Sequence, residues 1–414
     1  MSIPKQSGSA STAPRIDYDP FSVNAMSDPY ALYGELRSQQ PVYELPHYEA
    51  FALSRFEDVW RVIGDAEGFS VAEGPVFVPE MVARPWHPER LPAFDPARSF
   101  ASWDPPAHTQ LRTRIRGFFT PRATQRLEAL ARRIARERLD VLVPTGRLDV
   151  VRDYAAHVAV GLSCHVLGVS LSRGPELVAL SNLSQRREAG RAGQSEAGQA
   201  AHVEIFRHML ESVAARRDDA AGAPCVADAL LEGGPQGEVG SDEQVATQLT
   251  TLLVGGTETV PKIVAGGVRE LALDPAQRSA LHDAPDLVGD AFEEMVRHQG
   301  VLQSVGRTAL AACEVGGRRI ERGQRLFLLL QSANRDEREF ESPERFDIRR
   351  RPRRHLGFGH GPHHCPGIHM ARLEGRVLVE ELLARIPEWQ VDEANCERPP
   401  SDFQLGYVSL PIVF

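Results

Sequence analysis

The longest helical pattern in the chain runs from Ser241 to Leu273, and any fold for this sequence has to be arranged around it. Ser241 opens the pattern as the cap of a capping box in which Gln244 reaches back, and Asp274-Pro275 closes it. At 1.5 Å per residue this predicts a rod of roughly 48 Å, long enough to cross the whole molecule. Much of the remaining chain is also helical in pattern. From Ala107 to about Gly240 it is broken only at Thr120-Pro121, Pro144-Thr145-Gly146, Gly174-Pro175 and the stretch 218–222. Further helices are expected over Pro29 to Ser38, from Phe56, over Ala284 to His298 and over Gly367 to Ile386, with short strands at Ala50 to Leu53 and within 306–329. Eight prolines between Ser70 and Pro106 exclude a long regular helix there and predict a long ordered loop. The fold class expected is mainly α with small β-sheets: a flexible tail over 1–20, then one unit over 21–414.

With 47 Lys+Arg against 56 Asp+Glu, the net charge of −9 disfavours a dedicated nucleic-acid binder. Five scattered cysteines without a CxxC pair read as a reducing compartment. The first twenty residues lack the apolar run of a signal peptide or membrane anchor, so a cytoplasmic monomer is expected.

The string Phe358-Gly359-His360-Gly361-Pro362-His363-His364-Cys365-Pro366-Gly367 sets one cysteine in a glycine-bounded loop immediately before a helix. The positive end of the helix dipole favours a thiolate there, and the glycines let backbone approach the sulfur and whatever it binds. Such a thiolate suits an axial bond to haem iron. A zinc site made of His360, His363, His364, His369 and Cys365 fits less well, because it has no second, separated ligand pair.

The string resembles the cysteine signature of the cytochrome P450 family, Phe-Gly-x-Gly-x-His-x-Cys-x-Gly, and matches every fixed position. The resemblance implies the P450 fold, with haem b between the long helix and the helix after Cys365. It makes Cys365 the metal ligand, with Phe358, Gly359 and Gly367 shaping its loop. Glu294 and Arg297 match the family's Glu-x-x-Arg, one turn apart on a helix. The third member of that structural triad is expected to be Arg345 of Pro343-Glu344-Arg345-Phe346, with Arg349 as the substitute. His108 and Arg112, at i and i+4, together with Arg307 and His355, match the positions that meet the haem propionates.

Within the long helix, Gly255-Gly256-Thr257-Glu258-Thr259 matches the family's oxygen-activation segment. Two glycines inside a helix cost about 1 kcal/mol each relative to Ala, which calls for a compensating role. By resemblance the helix opens here, the Thr259 hydroxyl turns to the Gly255 carbonyl, and Glu258 with Thr259 handles protons as the catalytic pair. Two departures stand out. Pro261 removes the N–H that would bond the Thr257 carbonyl, which predicts a break in the helix. Pro366 removes one possible N–H donor to the sulfur, leaving Gly367 and Ile368.

No flavin or nicotinamide fingerprint is present, so electrons are expected from a ferredoxin and ferredoxin reductase. Arg349, Arg350, Arg351, Arg353 and Arg354, with Arg112, Arg114 and Arg116, either dock an acidic ferredoxin or serve propionates and internal ion pairs. The substrate pocket implied by the resemblance takes Phe77, Val78, Met81, Val82 and Trp86 from the proline-rich loop and Leu253, Val254 and Gly255 from the long helix. Val301, Leu302 and Val305 follow Glu-x-x-Arg, and Tyr407 and Val408 come from the C-terminal segment. This apolar set implies a hydrophobic small organic substrate, hydroxylated or epoxidised with O2. The alternatives are a peroxide-driven peroxygenase, a non-catalytic haem sensor or carrier, and a zinc-stabilised interaction module.

Overall fold

A computed structural model describes residues 16–82, 84–85, 87, 94–184, 186–188, 193–218, 223–233 and 240–414. The helices that frame the site are α1 (Ala107–Ile115), α2 (Glu128–Leu142), α3 (Ala156–Leu167), α4 (Gly174–Ser184), α5 (Glu196–Asp218), α6 (Asp242–Leu273), α7 (Val288–Gln299) and α8 (Ile368–Arg385). The strands are β1 (Val42–Leu45), β2 (Ala50–Leu53), β3 (Phe69–Ser70), β4 (Arg147–Asp149), β5 (Ser304–Ala309), β6 (Cys313–Val315), β7 (Arg318–Ile320), β8 (Arg325–Leu329), β9 (Gln390–Val391) and β10 (Pro411–Val413).

The capping box closes as the sequence predicts. The Ser241 hydroxyl accepts from the Gln244 N–H at 3.2 Å, and the Gln244 side chain accepts from the Ser241 N–H at 3.2 Å. From this cap α6 runs 32 residues and packs along α3, α5 and α7. It passes through Pro261 without the expected break. Pro261 is buried, and the hydroxyls of Thr257 and Thr259 donate back to the Leu253 and Gly255 carbonyls at 2.9 and 3.1 Å, so packing and local bonds carry the helix across the missing N–H.

Strands from distant parts of the chain form the sheets. The larger sheet has the order β1-β2-β8-β5-β3, with β2 and β8 parallel and Ala50 opposite Arg325. Both β2 and β8 are buried along their whole length, β2 being apolar throughout and β8 apolar after Arg325, whose charge meets Glu73. The smaller sheets are β4-β10-β9 and the hairpin β6-β7. The proline-rich stretch is a loop with one helical turn at Pro79–Val82 and another at Phe100–Ser102 among the described residues. Buried Trp103, whose indole N–H donates to the Asp95 carbonyl at 3.0 Å, and the Arg325–Glu73 ion pair at 2.9 Å hold it down. Of the expected tail, residues 1–15 lie outside the described residues, while Ile16 and Tyr18 are buried and Tyr43 donates to the Ile16 carbonyl. Among the described residues, no helix is long and apolar enough to cross a membrane.

The Glu-x-x-Arg pair forms on α7 with both side chains at 0% exposure, the Arg297 guanidinium meeting the Glu294 carboxylate through two bonds of 2.7 Å. The third member differs from expectation: it is Arg350, whose Nε donates to Glu294 Oε1 at 3.0 Å. Arg345 is exposed and contributes its backbone carbonyl, which accepts from Arg350 at 2.9 Å, while the Arg349 side chain is exposed. The reason is the path of the segment 334–350. Arg297 holds the carbonyls of Asn334 and Pro343 at 2.9 Å each and Glu294 accepts from the Asp347 N–H at 3.1 Å, which turns the chain so that residue 350 points inward. Breaking one charged bond in this buried network costs more than removing an exposed side chain. Arg350→Ala should therefore lower stability by about 2 kcal/mol in denaturant titration. Arg345→Ala should cost less than about 0.5 kcal/mol.

Candidate active site

Local backbone chemistry fixes the cysteine loop. Gly359 and Gly361 take φ of +69° and +72°, in the left-handed region that favours glycine. A Cβ on Gly361 would lie 2.7 Å from the Gly64 Cα, so this loop can sit against the helix Phe56–Gly64 only with glycine there. Trp60 stacks on His360 with ring centroids 3.7 Å apart, fastening the same contact. The Cys365 N–H donates to the Phe358 carbonyl at 2.9 Å and the chain then enters α8. Burial pushes the Cys365 thiol up, while the Gly367 N–H bonded to the sulfur, Arg112 and Arg372 all favour its anion. The other cysteines are free as well, and Cys164 is a buried core thiol pushed up to about 12 by burial.

Beside the sulfur lie four cation-forming side chains, His108 and Arg307 buried and Arg112 and His363 half-buried, with Asp104 as the carboxylate that acts on Arg307. His108 is 1% exposed, and neither ring nitrogen has a hydrogen-bond partner among the described residues. Its ring lies 3.9 Å from that of His363, whose Nε2 is likewise unpartnered. Arg307, 4% exposed, bonds the neighbouring Gly306 carbonyl, and Arg112 bonds the His364 carbonyl at 2.8 Å. Burial, reinforced by mutual repulsion, pulls His108 down to about 4 and His363 down to about 2, and burial alone brings Arg307 down to about 10. Leaving the His108 nitrogens and His363 Nε2 without partners is costly, and with Arg112 and Arg307 beside them the arrangement fits a ligand that brings carboxylates. The haem propionates have that chemistry. His355 is committed elsewhere: its Nε2 meets Glu293 at 3.1 Å and its Nδ1 accepts from the Gly357 N–H. Burial works to raise the Glu293 carboxyl, but hydrogen bonds from His355 and Arg372 prevail and hold it at about 2.

On α6 the two adjacent glycines do different work. A Cβ on Gly256 would lie 2.7 Å from Ser163 Oγ, so Gly256 lets α3 approach. A Cβ on Gly255 would meet nothing within 4 Å, and Gly255 is exposed in the middle of an otherwise buried helix. That opening, with half-buried Thr259 one turn later, is where a planar cofactor can reach the backbone. The Thr259 hydroxyl donates to the Gly255 carbonyl at 3.1 Å, as the sequence predicts. Glu258 is buried and its Oε2 accepts from Lys262 Nζ at 2.8 Å, while Oε1 has no partner among the described residues. Burial raises the Glu258 carboxyl and Lys262 opposes this.

A glycine-bounded cysteine at a helix start, a group of histidines and arginines beside it and an exposed glycine within the long helix match one family. The family model described as cytochrome P450 matches residues 195–412. Cytochrome P450 130 of Mycobacterium tuberculosis is 30% identical over 89% of this chain and 90% of its own length. The chain belongs to the cytochrome P450 family. The mycinamicin IV hydroxylase/epoxidase of Micromonospora griseorubida is 32% identical, covering 92% of this chain and 94% of the relative. Among solved structures, cytochrome P450 CYP109Q5 from Chondromyces apiculatus superposes with a TM-score of 0.81 at 30% identity, covering 96% of this chain and 98% of that one. This P450 is accordingly a haem-dependent monooxygenase.

The residues expected to line the substrate pocket are placed as follows. Phe77 and Val82 are core residues. Phe77 fills the space over Gly306 and packs edge-on against Phe327, and Val82 is 1% exposed in the same cluster, which Met81 also joins. Leu253 and Val301 are likewise buried in the main core, with Tyr407 packed against it, and Leu302 and Val305 pack against the core under the large sheet. Val78 is half-buried, Val254 is 8% exposed, and Trp86 lies outside the described residues. Phe358 is buried and Arg372 stacks on its ring. Val408, with Lys262, Gln404 and His157, lines a separate cavity of about 510 Å³ beyond α6. Cys365 instead opens on a cleft of about 480 Å³ shared with Arg112, Arg116, His364 and His369.

Sequence reasoning passed over Lys262 and Glu374, and named His363 as the fixed histidine of the cysteine signature and as a possible zinc ligand without a place in the cation group. Glu374 on α8 is fully buried, and burial alone raises its carboxyl well above the usual range, with no partner for either oxygen among the described residues. Lys262 was discoverable as the i+4 neighbour of Glu258. Nothing in the sequence marks Glu374. The glycine assignment separates two neighbouring substitutions in thermal denaturation of the haem-free chain. Gly255→Ala should stabilise it by up to about 1 kcal/mol through helix propensity. Gly256→Ala should destabilise it by about 1–3 kcal/mol through the clash with Ser163.

Proposed function

We propose that this P450 inserts one atom of O2 into a hydrophobic small organic molecule, by hydroxylation or epoxidation, using haem b and electrons from a separate ferredoxin and ferredoxin reductase. The observation that carries the reading is the group His108, Arg112, Arg307 and His363 next to Cys365, in which both His108 nitrogens and His363 Nε2 have no partner among the described residues; it suits a ligand that brings carboxylates and a metal together. Cys365 would be the axial ligand, helped by the Gly367 N–H, and His108, Arg112 and Arg307 would take the propionates. When bound, the haem supplies activation of dioxygen and its transfer to the substrate. His355 acts at one remove, sharing Glu293 with Arg372, which favours the sulfur anion.

The protein's own part is the handling of protons and water. Because the Thr259 hydroxyl spends its hydrogen on the Gly255 carbonyl, its lone pairs can accept a bond from a water in the opened helix. Glu258 can hold a proton at its unpaired Oε1 while Lys262 fixes Oε2. Lys262 also donates to Gln404 at 3.0 Å, and both line the 510 Å³ cavity, which supports it as the route for solvent protons to Glu258. Pro261 leaves the Thr257 carbonyl without its helical partner and free to hold a water on the same side.

Relatives named as a hydroxylase/epoxidase and an omega-hydroxylase support oxygen insertion. For electron supply, Arg112 and Arg116 line the cleft beside Cys365, and Arg349 and Arg353 are exposed. These four support docking of an acidic ferredoxin. Arg350, Arg351 and Arg354 are instead engaged by Glu294, Asp290 and Glu339, so the arginine cluster divides between the two roles.

The test is reconstitution with ferredoxin, its reductase, a nicotinamide reductant and O2, on compounds chosen by the spin-state change they cause. Product per electron should fall in Thr259→Val, with peroxide released instead, and turnover should fall about 100-fold in Glu258→Gln. Peroxide-driven oxidation should be indifferent to both. Turnover that needs peroxide alone, with Thr259→Val fully coupled, would establish a peroxygenase.

A further inference from the structure

The helices α4 and α5 meet on the protein's outer face through a cluster that takes no part in haem or oxygen chemistry. Glu176 lies in the first turn of α4, and Glu204, His208 and Glu211 follow one another at i, i+4 and i+7 on α5, hence on one face. His208 is buried to 4% side-chain exposure while the three carboxylates remain 37–52% exposed. Its Nε2 stands 3.3 Å from Glu176 Oε1 and 3.9 Å from Glu204 Oε1, and one donor atom from each of the three residues lies within 4.8 Å of the others. Tetrahedral ligands about 2.0–2.1 Å from zinc are themselves about 3.3–3.4 Å apart, so the first separation already fits and the others close with small side-chain rotations.

A second feature is independent of that triangle. The other ring nitrogen, Nδ1, stands 4.0 Å from Glu211 Oε2. A metal-bound histidine ordinarily donates its remaining N–H to a carboxylate, which fixes the tautomer and makes the ligating nitrogen more basic. Glu211 is placed for that role. The competing partners are two arginines: Arg173 pairs with Glu176 and Arg207 with Glu204. These are exposed pairs of the kind worth little individually. Both arginines already contact Glu211 as well, Arg173 at 3.1 Å, so they keep an anionic partner when the other two carboxylates turn to a metal.

We propose that Glu176, Glu204 and His208 form a binding site for a divalent first-row transition ion, with zinc the best match to one imidazole and two carboxylates. On binding, His208 carries its proton on Nδ1 toward Glu211 and presents Nε2 to the ion; no oxidation is involved. The ion staples the start of α4 to the middle of α5. The same α4 carries Ser181, whose hydroxyl bonds the Thr257 hydroxyl at 3.0 Å on α6, so a tie at Glu176 bears on the helix that holds Thr259.

The experiment uses the haem-loaded protein stripped by a chelator and titrated with zinc chloride against a chromophoric chelator, with the melting midpoint followed in parallel. The wild type should bind one zinc tightly and melt at a higher temperature with it. His208→Gln and Glu204→Gln should each weaken that binding roughly tenfold or more and abolish the shift, while melting like the wild type in excess chelator. Glu204 is 37% exposed, so its variant carries the test alone should His208→Gln fold poorly. Zinc affinity and stoichiometry unchanged in Glu204→Gln would overturn the assignment and place the metal on exposed histidines such as His165 and His282. Calcium or magnesium producing the same shift in His208→Gln would overturn it too, because oxygen-preferring ions have no use for the imidazole.

Discussion

A sulfur whose negative charge is opposed by its own burial is the constraint on which this molecule turns. Cys365 sits where an uncharged thiol is favoured, and the residues around it work the other way: the Gly367 N–H, Arg112 on α1 and Arg372 on α8. Each sits on a separately anchored piece of structure. The loop is clamped on the helix Phe56–Gly64 by Gly361 and His360, α1 is tied to it through the His364 carbonyl, and Arg372 is aimed by Glu293. The sulfur's surroundings are thus built by the whole fold, and a metal ion bound there would supply the charge that favours the anion.

The same logic runs through the other buried charges. The Glu294–Arg297–Arg350 network is held by the shared carboxylate and by backbone carbonyls and fixes the path of the chain ahead of the cysteine loop, whereas both His108 nitrogens and His363 Nε2 have no partner among the described residues. One is architecture and the other is suited to receive carboxylates, and their hydrogen bonding tells them apart. Glu258 stands between these cases, with one oxygen held by Lys262 and one free, as a proton carrier should be. Gly255 shows the same division in steric form, an opening in a helix whose neighbouring glycine is filled by packing.

What could be read from sequence was mostly what short-range chemistry dictates. The capping box of α6, the bond from Thr259 to Gly255 and the glycine turns before Cys365 depend on residues within a few positions of one another, and all three stand as expected. Choices made by distant packing were not legible. Arg350 rather than Arg345 completes the buried triad because of how the segment from Asn334 is hung on Arg297. The packing of Phe77 over Gly306 on β5, a residue more than two hundred positions away, is another such choice. The parallel pairing of β2 with β8 and the small sheet of β4, β9 and β10 join strands far apart in the chain, which local pattern does not report. The break expected at Pro261 failed for a related reason: burial against neighbouring helices outweighed one missing hydrogen bond.

The most direct measurement is the absorption spectrum of the haem-loaded, reduced protein under carbon monoxide, compared with that of Cys365→Ser. The wild type should show the long-wavelength band of a thiolate-ligated adduct, and the serine variant should lose that band even where it retains pigment. The same band surviving in the variant would mean that a different side chain holds the iron, and would contradict the account of this site.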